Sequence, residues 1–151
     1  MSVRDKLAEL GLELPKVAAP VAAYVPAVRT GDYVYTSGQL PFRDGELLRT
    51  GYVGGDVSPE DAKELAAVCA LNALAAVDSI VGVDNIVRIV KVVGFVASAQ
   101  GFTGQPGVIN GASELLGKVL GEAGVHARSA VGVAELPLGT PVELEIVAEV
   151  R

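Results

Sequence analysis

Val142-Glu143-Leu144-Glu145-Ile146-Val147-Ala148-Glu149-Val150 sets an aliphatic residue at every second position and, Val147 apart, a glutamate between each pair. A two-residue period of this kind belongs to a β-strand with one face in a core and the other toward water. Its inner face needs an apolar cover, and two helical stripes upstream can supply one. The first opens at Ser58-Pro59-Glu60-Asp61, where Ser caps exposed amides, Pro fits the first turn and the acids complement the positive end of the helix dipole. Ala62, Leu65, Ala66, Cys69, Ala73, Ala76, Val77 and Ile80 then recur at three- and four-residue steps until Gly82. The second stripe is Ile109, Ala112, Leu116, Val119 and Leu120, closed by Gly121 and Gly124. Between the helices, Ile86 to Val96 is β-branched and too continuously apolar for a surface strand, so it is expected at the centre of the sheet.

Outward from this centre the signals are shorter. Residues 2 to 11 suggest an amphipathic helix with Ser2 as N-cap, Leu7 and Leu10 on one side and Gly11 as the stop. Pro15 and Pro20 mark an extended, irregular stretch. From Val21 to Leu40 two apolar runs flank the turn signal Arg29-Thr30-Gly31-Asp32, the pattern of a hairpin. Arg43 to Gly55 is rich in Gly and charge and is expected to be a loop, partly strand-like near Leu47 and Leu48. Ser98 to Gly107, with three glycines, is expected to be a second loop. Ser129 to Ala134 forms a strand joined to Val142–Val150 through Leu136-Pro137-Leu138-Gly139-Thr140. The order is an α+β arrangement with helices on one sheet face, and 151 residues are enough for one core, so residues 1–151 form a single domain.

Composition limits the partners. No stretch approaches the ~20 uninterrupted apolar residues of a membrane span, and the charges within Met1 to Leu14 do not fit a secretion signal. A soluble, cytoplasmic protein without membrane association is expected. A net charge of −6 and a pI near 4.7 argue against a broad basic surface for nucleic acid. The single cysteine, Cys69, excludes an internal disulfide and falls in the apolar stripe of the first long helix, where core packing is its expected role.

Phosphate-loop, dinucleotide-fingerprint and paired-histidine motifs are absent, so no cofactor or metal is expected. His126 is the only histidine and is expected on a loop or the surface. What remains is a set of polar residues in apolar or strand contexts: Tyr24, Ser37, Gln39, Asn110, Arg128 and Glu143. Arg128 enters the apolar run Ala130-Val131-Gly132-Val133, where an unpaired guanidinium would be costly. Its partner is either an internal carboxylate such as Glu143, or a ligand carboxylate held by the planar fork. The residues alone do not choose.

The segment His126-Ala127-Arg128-Ser129-Ala130-Val131-Gly132-Val133-Ala134-Glu135-Leu136-Pro137, followed by Val142-Glu143-Leu144-Glu145, resembles the carboxy-terminal signature of the Rid family (reactive intermediate deaminases, YjgF type, also labelled endoribonuclease L-PSP). Tyr24-Val25-Pro26-Ala27 through Val34-Tyr35-Thr36-Ser37-Gly38-Gln39-Leu40-Pro41 is similar to the family's amino-terminal hairpin. The likeness runs from about Val21 to the end, and the extra amino-terminal helix with the Arg43–Gly55 and Gly101–Pro106 loops looks like a longer branch. It implies a chorismate-mutase-like α+β fold, a mixed sheet with two main helices on one face, assembled as a homotrimer with ligand clefts between subunits. It also implies hydrolysis of small carboxylate-bearing enamines or imines to 2-keto acids and ammonia. By position, Arg128 would hold the substrate carboxylate and Glu143 would position or activate a water. Tyr24 would line the cleft, with Ser37, Gly38 and Asn110 nearby.

Such chemistry needs no cofactor, because an imine carbon is already electrophilic. The chain departs from the family in having His126 where Pro is common and Ala130 where Cys is frequent, which excludes a sulfur nucleophile at 130. Glu143 also has an alternative as an ion partner at a subunit interface. Two other functions stay open: a non-catalytic sensor or carrier of small carboxylate metabolites, using the same Arg128 fork, and a ribonuclease or translation inhibitor, which the acidic charge disfavours.

Overall fold

The computed structural model describes residues 1–17 and 23–151. Pro20 and Val21, expected in the extended stretch and at the start of the hairpin segment, lie outside the described residues. The elements run α1 (Val3–Glu9), β1 (Ala27–Thr30), β2 (Tyr33–Thr36), β3 (Phe42–Arg43), β4 (Glu46–Leu47), α2 (Pro59–Val81), β5 (Ile86–Ala97), α3 (Gln105–Leu120), β6 (Ala127–Val133) and β7 (Val142–Val150).

Five strands form one mixed sheet in the order β1-β2-β7-β5-β6. Only β5 and β6 are parallel, joined through the α3 crossover; the other neighbours are antiparallel. The alternating strand β7 is thus the middle one. β5, expected at the centre, is the inner strand beside it, and β1 and β6 are the edges.

Both long helices cover the same face. Val142, Leu144, Ile146, Ala148 and Val150 of β7 are all 2% exposed or less and meet Leu74 of α2 and Ile109 and Leu116 of α3. Full burial of each large aliphatic side chain contributes roughly 1.5–3 kcal/mol before chain entropy is counted. Cys69 is buried there as expected. Ile80, placed in the same stripe by periodicity, is 41% exposed; it lies in the last turn of α2, beyond the buried Val77.

The other face is open. Val28, Tyr33 and Tyr35 on the hairpin and Val131 on β6 are 43–53% exposed. Register sets Val28, Tyr35 and Val147 in one row across the sheet, and Glu143, Phe95 and Val131 in another. The continuous apolar character of β5 therefore does not mean that one chain buries both of its faces.

Three local readings are corrected. α3 begins at Gln105, inside the stretch expected as loop, because Pro106 occupies its first turn and fits there without a donor. Within Arg43–Gly55, expected to be mostly loop, β3 and β4 pair across Asp44-Gly45, both with positive φ (53° and 80°), a two-residue hairpin turn; the strand-like character expected near Leu47 and Leu48 is that of β4, which includes Leu47 but not Leu48. In α1, whose Ser2 makes the expected cap, Leu7 is buried but Leu10 is 38% exposed.

Candidate functional site

Arg128 lies on the edge strand β6, in register with Val92 of β5, which in turn faces Ile146 of β7. Both neighbours are buried under the helices, so the Arg128 side chain projects on the helix side, against α3. Nη1 donates to Asn110 Oδ1 (2.8 Å) and to Ser113 Oγ (3.2 Å), and Nη2 donates to the Pro106 carbonyl (3.3 Å). A guanidinium carries only donors, so Asn110 must turn its amide oxygen inward. All three acceptors are neutral, and among the described residues no carboxylate forms an ion pair with Arg128. Among the described residues three of its five N–H groups are engaged, which leaves Nε–H and one N–H of Nη2. The side chain is only partly buried.

A second group forms on β7 and the segment after β2. Gln39 and Leu144 exchange both backbone hydrogen bonds (2.7 and 3.0 Å), carrying the chain alongside β7 beyond the end of the hairpin. This brings Gly38 against Glu143: a Cβ built on Gly38 would stand 2.8 Å from the Glu143 carboxyl carbon, nearer than any side chain can lie. Ser37 Oγ donates to the carbonyl of Val25 (2.6 Å), tying this segment to the residue after Tyr24, which is 49% exposed. The buried Gln39 donates its amide to the Ser37 carbonyl (3.2 Å), so its role is to hold the segment. Burial raises the pKa of Glu143, and the like charge of Glu145 on the same face adds to the shift.

Glu143 alternates with the buried Val142 and Leu144 and faces the open side of the sheet, whereas Arg128 faces the helix side, with β5 between their strands. Within one chain the two do not meet, and the internal Arg128–Glu143 ion pair is ruled out. Sequence-expected residues thus fall into two groups, Arg128 with Asn110, and Tyr24, Ser37 and Gly38 with Glu143.

Two residues of the first group were not expected there. Ser113 follows Asn110 by three positions and shares its helix face, a spacing that could have shown it. His126, expected as a loop or surface residue, is partly buried and bonded through both ring nitrogens, Nε2 to Ser113 Oγ (2.9 Å) and Nδ1 to the Gly124 carbonyl (2.6 Å).

Residues 4–150 match the family described as "YjgF/chorismate mutase-like, putative endoribonuclease". The chain is 41% identical to protein TCP17 of Trypanosoma cruzi, over 99% of this chain and 94% of that one. Among solved structures, Atu1372 of Agrobacterium tumefaciens is 44% identical with a TM-score of 0.91, covering 99% of this chain and 94% of that one. TdcF of Escherichia coli, solved with bound serine, is 25% identical with a TM-score of 0.62 and covers 91% of each chain. With its order of elements, its helices on one face of a mixed sheet and these relatives, the chain belongs to the YjgF/chorismate mutase-like family.

Proposed function

We propose that the protein hydrolyses a small carboxylate-bearing enamine or imine to a 2-keto acid and ammonia, in a cleft where Arg128 of one copy faces Glu143 of another. The observation that carries the proposal is the donor inventory of Arg128. Neutral partners hold the guanidinium in place, and among the described residues Nε–H and one N–H of Nη2 remain for a carboxylate. The serine bound in TdcF carries such a carboxylate. Because the two site groups lie on opposite faces of one chain, a joint site requires a second copy. The exposed tyrosines and valines of the open face offer the surface for assembly, which by family resemblance would be a homotrimer.

The chemistry balances with these residues. The Glu143 carboxylate takes a proton from water as the water oxygen adds to the imine carbon. The carboxyl group returns that proton to the nitrogen, completing the carbinolamine; the same carboxylate then carries the hydroxyl proton to the nitrogen, and the C–N bond breaks as the carbonyl forms and ammonia leaves. A carboxyl whose pKa burial has raised is better matched to giving and taking protons near neutrality than an ordinary one. Pre-positioning of carboxylate and water supplies the remaining advantage.

The test is ammonia release from 2-aminoacrylate generated in situ by a lyase, compared between the wild type and Arg128→Ala. Acceleration by the wild type and none by the variant is expected; equal rates would defeat the assignment. Saturable binding of pyruvate without turnover of any imine would favour a carboxylate carrier instead.

A further inference from the structure

Arg128 is held by more than its direct neighbours. From its Nη1 a line of hydrogen bonds runs through Ser113 Oγ (3.2 Å) to His126 Nε2 (2.9 Å), and from His126 Nδ1 to the carbonyl of Gly124 (2.6 Å). The far end is closely packed. Gly124 is buried, and a Cβ there would stand 2.7 Å from the carbonyl carbon of Leu116, so only glycine lets the turn after α3 pack this closely against the helix.

Donor and acceptor roles along the line follow from its two ends. A backbone carbonyl only accepts, so Nδ1 of His126 carries the proton. In the tautomer that carries its one proton on Nδ1, Nε2 presents a lone pair, and the Ser113 hydroxyl donates to it. This leaves the Ser113 oxygen lone pairs to accept from the guanidinium, which only donates. Every donation runs in one direction, from the cation through the serine and the histidine to the Gly124 carbonyl.

We infer that Ser113 and His126 are positioning residues for ligand binding, fixing the Arg128 guanidinium so that its Nε–H and remaining Nη2–H face an incoming carboxylate. The inference rests on the carboxylate reading above. An arginine is a long, flexible side chain, and bidentate capture requires both N–H groups to be aimed at once. Asn110 and the Pro106 carbonyl hold the guanidinium from α3, and the serine–histidine line adds a restraint anchored on the backbone beyond that helix. His126 acts only through Ser113.

The experiment is titration calorimetry of the intact protein with pyruvate, with pyruvamide as the uncharged control. It is run on the wild type, Arg128→Ala, Ser113→Ala, Ser113→Thr, His126→Ala and the Ser113→Ala/His126→Ala double variant. Ser113→Ala should weaken pyruvate binding about tenfold, the size of a hydrogen bond to a charged group, and Ser113→Thr, which keeps the hydroxyl, should restore it. The double variant should bind no worse than Ser113→Ala alone, because the histidine has no other route to the guanidinium. Equal affinity in Ser113→Ala and wild type, with binding lost in Arg128→Ala, would overturn the inference and leave the carboxylate reading standing. Absence of pyruvate binding by the wild type would overturn both. A second measurement does not depend on any variant. His126 is the only histidine, so long-range nitrogen–proton NMR of the wild type at pH 8 reports one ring. The Nδ1–H tautomer is expected, and an Nε2–H tautomer would overturn the inference.

Discussion

Gly38→Ala separates the two halves of the proposed site. The added Cβ would stand 2.8 Å from the Glu143 carboxyl carbon and 3.2 Å from its Cγ, where ordinary contact begins at 3.4 Å, so the carboxyl carbon must retreat by at least about 0.6 Å. The oxygen beyond it must move further. A displacement approaching 1 Å in a group that aims a water costs on the order of 10²-fold in rate, about 2.7 kcal/mol of barrier. Gly38 has no positive φ, so alanine meets no backbone strain, and the obstacle is the end of a flexible side chain. Stability should therefore change by less than about 1 kcal/mol. The assay is steady-state ammonia release alongside pyruvate affinity and thermal melting. The expected result is a loss of roughly 10²-fold in kcat with pyruvate binding at Arg128 retained. Wild-type turnover in a folded Gly38→Ala protein would refute the role given to Glu143.

Other perturbations follow from the same geometry. Because burial raises the pKa of Glu143, the native state binds this proton more tightly than the unfolded chain. The group's favourable contribution is then complete below the ordinary carboxylate range and is lost as pH rises through the raised value. Glu143→Gln should accordingly melt above the wild type at pH 7, with the gap closing as the pH is lowered to 4; a gap that widens toward acid would contradict this sign. Asn72, buried in α2, donates to the carbonyls of Leu40 (2.9 Å) and Phe42 (3.0 Å) and so ties the segment carrying Gly38 to the core. Asn72→Ala should cost roughly 1–2 kcal/mol by denaturant unfolding, the loss of two hydrogen bonds to half-buried carbonyls, of which that of Leu40 keeps a donor in Phe42 N–H (2.8 Å), and a loss under about 0.5 kcal/mol would show that the Phe42 carbonyl finds another donor too. Despite the endoribonuclease label of the family, a chain of net charge −6 should leave single-stranded RNA intact on prolonged incubation, read by gel; cleavage that co-purifies with the protein would overturn this.

The alternation in Val142–Val150 and the cap at Ser58-Pro59 could be read directly, since each signal lies within a few residues and tertiary packing reinforces it. Of the β3–β4 ribbon the sequence shows only strand-like character near Leu47 and Leu48, because two-residue strands are too short to show a period. The start of α3 was hidden by glycines on both sides of Pro106. Arg128 stood out as a charge in an apolar run, but its surroundings did not, because Ser113 lies fifteen residues away and nothing local links the two. The separation of Arg128 and Glu143 onto opposite faces is a property of register through β5, which becomes visible only once the strands are paired. His126, an ordinary loop residue by sequence, acquires its role solely through contact with α3.

Subunit mixing tests the central claim most directly. Arg128→Ala and Glu143→Gln, each inactive alone, are unfolded together in equal amounts and refolded, and ammonia release is measured on the mixture. If each site takes its arginine from one copy and its glutamate from the next around a closed ring, random assembly regenerates about a quarter of the wild-type sites. Activity near that fraction is the predicted result. A mixed assembly as inactive as its parents would contradict an account in which Arg128 and Glu143 of different copies complete one site.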